Sequence, residues 1–196
     1  MCIRDRFFAY QKLRDAIAYN GAKAGSVVVL DTVTGELLAL ANYPSYDPNH
    51  RENLTGEQLR NRAVTDTFEP GSTMKPVTVA TALELGRVTP QTIIDTTPGR
   101  YTVTGSTITD THNYGVLTVE GVIQKSSNVG ATKVSQRLSS QEMWNTFTAL
   151  GLGQKPQIEF PGAVTGRVRP WKNWRPIEQA TICLLYTSDA ADDLLC

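Results

Sequence analysis

A mixed domain of helices and antiparallel hairpins, α+β in class, is what the sequence predicts, and three observations carry it. Residues 7–20 place apolar side chains at 10, 13, 16 and 17, the spacing of one helix face. Two β-branched runs, Ser26 to Leu30 and Glu36 to Ala41, flank a five-residue loop ending in Gly35, which is a hairpin signal. After Pro76, the apolar residues Val77, Val79, Ala80, Leu83 and Leu85 describe a helix that is apolar nearly all round and therefore buried. With 196 residues and 40% hydrophobic content, the chain can bury one ordinary core and is not a disordered polymer. Formal net charge is zero and neither sign forms a block, so a nucleic-acid footprint is excluded. No apolar run approaches the roughly 20 residues that span a bilayer, and no secretory signal stands at the start.

Each element has a local reason. Asn20-Gly21 stops the first helix because either residue tolerates the left-handed conformation of a C-cap. The first strand is apolar almost without interruption, so cover on both faces is expected, with a helix on at least one. Residues 42–65, with Tyr43-Pro44-Ser45-Tyr46-Asp47-Pro48-Asn49, are expected to be irregular surface chain. Pro76 cannot sit deep in a helix, so the second helix must begin at about Ser72, and Gly86 can end it. Arg100 to Thr109 reads as a small hairpin about Gly105-Ser106. Thr118 can cap a short helix through Ile123, and another runs from about Val129 to Leu138. Ser139-Ser140-Gln141-Glu142 has capping-box spacing and opens a helix to Leu150. From Gly151 to Ile182 the Gly, Pro and Trp content predicts packed loops.

The three cysteines, Cys2, Cys183 and Cys196, all lie near the ends. Residues 1–6 and 183–196 look like translated sequencing-adapter ends and are expected to be non-native, which leaves 7–182 as a single partial domain. That domain contains no cysteine, as suits an oxidising compartment.

Chemistry concentrates in Glu69-Pro70-Gly71-Ser72-Thr73-Met74-Lys75-Pro76. Residues three apart share a helix face, so the Lys75 amine can reach the Ser72 oxygen while both point into one cleft. A serine hydroxyl is a weak nucleophile until a neighbouring base takes its proton, which gives Ser72 the role of nucleophile and Lys75 that of base. The helix N-terminus adds free N–H groups and a dipole that favour developing negative charge at Ser72. Ser-x-x-Lys alone carries little weight. Ser126-x-Asn128 follows some fifty residues later, in a turn between two helices, where taken alone it reads as an N-cap. Together the two motifs follow the order found in penicillin-recognising serine enzymes. His50 and His112 stand without metal-ligand partners, so no metal and no cofactor is expected. Trp144, Trp171 and Trp174 read as packing residues, and Asp110, ahead of the helix that carries the Ser126 motif, as a turn or cap residue, with a place near the cleft as the alternative.

Asn61-Arg62-Ala63-Val64-Thr65-Asp66-Thr67-Phe68 leading into the Ser72 motif, the hairpin ending in Tyr46-Asp47-Pro48-Asn49, and Leu117 to Gly130 resemble class B penicillin-binding proteins, in particular septal peptidoglycan D,D-transpeptidases. The resemblance covers residues 7–182. It implies an α+β serine acyltransferase with an antiparallel sheet between helical layers, here truncated before the later strands. The implied partners are peptidoglycan stem peptides derived from lipid II, β-lactam antibiotics and membrane proteins of the division machinery. It also implies an inner-membrane protein facing the periplasm, anchored upstream of this stretch. In that family Ser72 would form the acyl-enzyme and Lys75 would take its proton. Ser126 would pass a proton to the leaving nitrogen, and Asn128 would hold Lys75 and the substrate amide.

One departure stands out, because the family's third motif, Lys-Thr-Gly, occurs nowhere in the sequence. The chain alone is therefore expected not to turn over substrate. A serine β-lactamase shares the first two motifs, but no Glu-x-x-Leu-Asn segment follows the second here. A non-catalytic β-lactam sensor domain and a rod-elongation transpeptidase are also compatible with these motifs. Membrane helices upstream would separate the sensor from the transpeptidases.

Overall fold

The computed structural model describes residues 3–158 and 160–182. They fall into two compact units, one made of residues up to Asp66 with Pro156–Val164, the other of Thr67–Lys155 with residues from Thr165 onward. The expected non-native end at 183–196, with Cys183 and Cys196, lies outside the described residues, as does Cys2.

The first unit is built on a helix and a hairpin. Helix α1 (Ile3–Asn20) begins four residues ahead of the expected Phe7 and so continues through the stretch read as a non-native end. Strands β1 (Gly25–Leu30) and β2 (Leu37–Tyr43) pair antiparallel, with a register shift at Val29/Leu30. The loop between them is held by Asp31, whose carboxylate accepts from the N–H groups of Val33 and Thr34 at 2.8 and 2.7 Å. Helix α1 lies against the hairpin: a Cβ on Gly25 would stand 2.9 Å from Ile17 Cδ1 and 3.2 Å from Leu13 Cδ1. By strand alternation Val27 and Val29 share the side of Gly25. Cover of the second face of β1 is partial: the stretch Arg62–Thr65 lies near the strand, yet Val28 is 48% and Leu30 55% exposed.

The stretch expected to be irregular contains two single-turn helices, α2 (Gly56–Leu59) and α3 (Arg62–Thr65). A reciprocal capping box makes the first possible: Gln58 N–H donates to Thr55 Oγ1, and Thr55 N–H donates to Gln58 Oε1. The second is tied to β2 by Asn42, which bonds the Ala63 N–H and the Asn61 side chain.

The second unit holds the main core. Here α4 (Lys75–Glu84), α5 (Val119–Lys125), α6 (Asn128–Ser135) and α7 (Ser140–Ala149) close around Met74, Val79, Val122, Val134, Met143 and Phe147. Helix α4 buries Thr78, Val79, Thr81 and Ala82 but leaves Leu83 and Leu85 exposed, so it is covered on one side and not all round. The hairpin of β4 (Arg100–Val103) and β5 (Ser106–Thr109) turns at Thr104 and Gly105, both with positive φ. A pairing that the sequence pattern does not predict joins β3 (Ile93–Asp95) to β6 (Val116–Thr118). The loops after Gly151 contain a 3-10 turn, Trp171–Asn173, and a short helix, α8 (Pro176–Thr181), whose Glu178 is gripped by Arg169 and Arg175. Every strand pairing described is antiparallel, and the α+β class stands.

Candidate active site

Pro70 and Gly71 set up the site. Gly71 takes a positive φ of 62°, and the chain then winds through a single 3-10 turn, Gly71–Met74, before α4 begins at Lys75. Pro76 therefore occupies the first turn of α4, where its missing N–H costs nothing. In 3-10 geometry side chains three apart eclipse, which aligns Ser72 with Lys75, and the Lys75 N–H donates to the Ser72 carbonyl. Ser72 is exposed, whereas the Lys75 side chain runs inward and the residue retains 2% exposure.

An amine buried to that degree needs hydrogen-bond partners to replace its water. Lys75 Nζ donates to the Ser126 carbonyl at 2.5 Å, to Ser126 Oγ at 2.9 Å and to Asn128 Oδ1 at 2.7 Å. All three acceptors come from the tripeptide between α5 and α6. Ser126 can offer both of its oxygens because it adopts the left-handed conformation, φ 51° and ψ 40°, at the C-cap of α5. For a residue with a Cβ that conformation costs on the order of 1 kcal/mol, which the bonds to Lys75 offset.

The Ser-Ser-Asn motif both caps a helix and serves the site, through different residues. Ser127 is fully buried and caps α6, its Oγ accepting from the Gly130 N–H at 2.8 Å. Ser126 and Asn128, on either side of it, turn to Lys75. The sequence pattern does not mark Ser127 as a site component and reads Asp110 as a turn or cap residue, with proximity to the cleft left open. In the structure Asp110 bonds Ser127 and the first amides of α6, linking the end of β5 to the motif. The lone signal in the sequence is an acidic residue preceding the helix that carries the motif.

Of the four residues singled out, Lys75, Ser126 and Asn128 are joined by hydrogen bonds, and Ser72 stands one turn before Lys75 with its hydroxyl in none of the bonds among the described residues. The arrangement presents an exposed hydroxyl at a helix N-terminus, a buried amine three residues on, and a second hydroxyl on that amine. Such a set can pass a proton from one serine to another through the lysine. His50 bonds Asp47 on an exposed loop, and among the described residues no group of three acidic, His or Cys side chains could hold a metal ion.

Several known proteins are similar to this chain. A family model described as the penicillin binding protein transpeptidase domain matches residues 25–189. The chain is 49% identical over 183 residues to a probable peptidoglycan D,D-transpeptidase PenA of Neisseria flavescens, covering 93% of this chain and 45% of that protein. It is 42% identical over 177 residues to the peptidoglycan D,D-transpeptidase FtsI of Escherichia coli K12, covering 90% of this chain and 30% of that protein. The solved transpeptidase domain of Burkholderia pseudomallei penicillin-binding protein 3 superposes with a TM-score of 0.84 at 49% identity, over 94% of this chain and 51% of that one. The chain thus spans less than half the length of these curated relatives. The match to the family model covers most of the sequence, and the chain belongs to the penicillin-binding protein transpeptidase domain family.

Proposed function

We propose that this chain is part of a septal peptidoglycan D,D-transpeptidase that works through an acyl-enzyme on Ser72. The observation that carries the proposal is the Lys75, Ser126 and Asn128 cluster seated one helical turn from an exposed serine, in a chain of this family. Ser72 Oγ attacks the carbonyl carbon of the penultimate D-alanine of a stem peptide as its proton passes to the neutral Lys75 amine. The new C–O bond gives a tetrahedral oxyanion, held by the Ser72 N–H at the helix N-terminus. Collapse breaks the bond to the terminal D-alanine, whose nitrogen takes a proton from Ser126 Oγ, itself resupplied by Lys75. An amine of a second stem peptide then attacks the ester, Lys75 removes its proton, and the serine leaves with a proton restored. Asn128 holds the lysine and presents its amide to the donor peptide. A β-lactam offers a strained amide to the same serine and stops at the ester. The site belongs on the periplasmic face of the inner membrane, where peptidoglycan and the division proteins that direct its synthesis meet. Among the described residues no helix is long and apolar enough to cross a membrane.

Lys-Thr-Gly is missing from this sequence, so the test supplies it from a relative. Residues 25–182 replace their counterparts in the transpeptidase domain of Burkholderia pseudomallei penicillin-binding protein 3, and acylation by a fluorescent penicillin is followed. We expect labelling that Ser72→Ala abolishes and that Lys75→Ala slows by about 10²- to 10⁴-fold. A folded chimera that is never labelled would overturn the proposal.

A further inference from the structure

Three acceptors on Lys75 come from Ser126 and Asn128, in a turn that α5 has left and α6 has only begun. What holds that turn against the lysine is the end of β5. Asp110 Oδ2 accepts from Ser127 Oγ at 2.7 Å, while Oδ1 accepts from the Asn128 N–H at 2.5 Å and the Val129 N–H at 3.1 Å. Next to it the Thr109 carbonyl accepts from Asn128 Nδ2 at 2.9 Å, which leaves Asn128 Oδ1 facing Lys75. Asp110 is fixed in turn by its own N–H, which donates to the Gly99 carbonyl at 3.0 Å. We infer that Asp110 is a positioning residue of this site, its carboxylate setting the Ser126–Asn128 turn so that three acceptors converge on Lys75. This role rests on the acyl-transfer reading, since the placement matters only if the lysine moves protons.

A carboxylate suits the task because it is all acceptor and serves three donors with two oxygens. An asparagine there keeps one acceptor oxygen for the Asn128 and Val129 N–H groups but turns an N–H toward Ser127 Oγ, which already accepts from Gly130. An alanine keeps none of the three bonds. Asp110→Asn should therefore preserve part of the placement and Asp110→Ala none of it.

The experiment uses the whole 196-residue chain carrying labelled lysine and asparagine, observed by NMR. The Lys75 Cε–Hε peak is assigned by its loss in Lys75→Arg, and the Asn128 side-chain amide by its loss in Asn128→Asp. Both peaks are expected outside the envelope of exposed lysines and asparagines. Asp110→Ala should bring both into that envelope, and Asp110→Asn should leave them between the two positions. Thr118→Ala, which strips the side-chain cap from neighbouring α5, should leave both peaks in place although it also weakens the fold. Peaks inside the envelope in the parent chain, peaks unmoved by Asp110→Ala, equal displacement in the Asn and Ala variants, or a shift with Thr118→Ala as large as with Asp110→Ala would each overturn the inference. Penicillin labelling of the chimera tests the chemical reading separately. If that labelling fails while the peaks behave as expected, the hold on the turn survives and its catalytic purpose does not.

Discussion

Where α5 meets α6, a single hydrogen atom decides the packing. A Cβ on Gly130 would lie 2.5 Å from Val122 Cγ2 and 3.0 Å from Ser127 Oγ, so the two helices approach as closely as they do only because this residue has no side chain. Gly130→Ala is expected to lower unfolding stability by about 1–3 kcal/mol, the usual result of forcing a methyl group into a packed site, and urea denaturation would measure it. Stability unchanged within error would mean that Val122 moves freely. The same neighbourhood shows what single residues reveal in a sequence. Ser72 with Lys75 and Ser126 with Asn128 are legible because each pair sits at a short spacing that chemistry explains. Asp110 is legible only as a turn or cap residue with a place near the cleft left open, since its partners lie 17 to 19 residues further on, a distance set by β6 and α5 and not by any local pattern.

Caps account for most of what is readable at the level of the element. Thr118 and Ser139 accept from Gly121 and Glu142 as their spacing implies, and α5 and α7 begin where expected. The β3–β6 pair escapes because three-residue strands are too short for alternation to register, and α8 because its six residues follow a loop rich in Pro and Trp. Glu142 gives the capping box of α7 a measurable pH dependence. The Ser139 backbone N–H, and after it the Arg87 guanidinium, hold its carboxyl down to about 2 from an ordinary 4.5. A depressed carboxylate stabilises the fold above its unfolded value, and that contribution disappears as pH falls through the folded one. We therefore expect stability of the second unit to decline between about pH 4.5 and about pH 2 with a component that Glu142→Gln removes. Parallel melting curves across that range, with identical acid slopes in parent and variant, would contradict this.

Across the whole molecule the feature with the largest practical effect is the open side of the first hairpin. Strand β1 has one hydrogen-bonded edge, and Val28 and Leu30 stand exposed on it. A bare, apolar strand edge is a template for pairing with another chain. The isolated chain should therefore self-associate as its concentration rises, and Val28→Lys should restore a single species in size-exclusion chromatography with light scattering. A parent chain that stays monomeric at high concentration would show that the edge is harmless. The apolar run reads correctly as a strand that wants cover, yet its composition cannot say that Val28 and Leu30 stay half exposed.

The first unit is also discontinuous in the chain, because the Val164 N–H donates to the Val64 carbonyl at 2.9 Å after the whole run from Thr67 to Lys155 has been made. A ribosome delivering this polypeptide from its N-terminus exposes Val64 long before its partner emerges. Closing a loop of about 100 residues costs only a few tenths of a kcal/mol more than closing one of about 70, so the delay is a matter of order and hardly one of stability. Synthesis thus imposes an order of events in which Val64 waits for its partner while the run from Thr67 to Lys155 is made. A translation stall before residue 156 would leave the opening segment waiting for its last strip of chain.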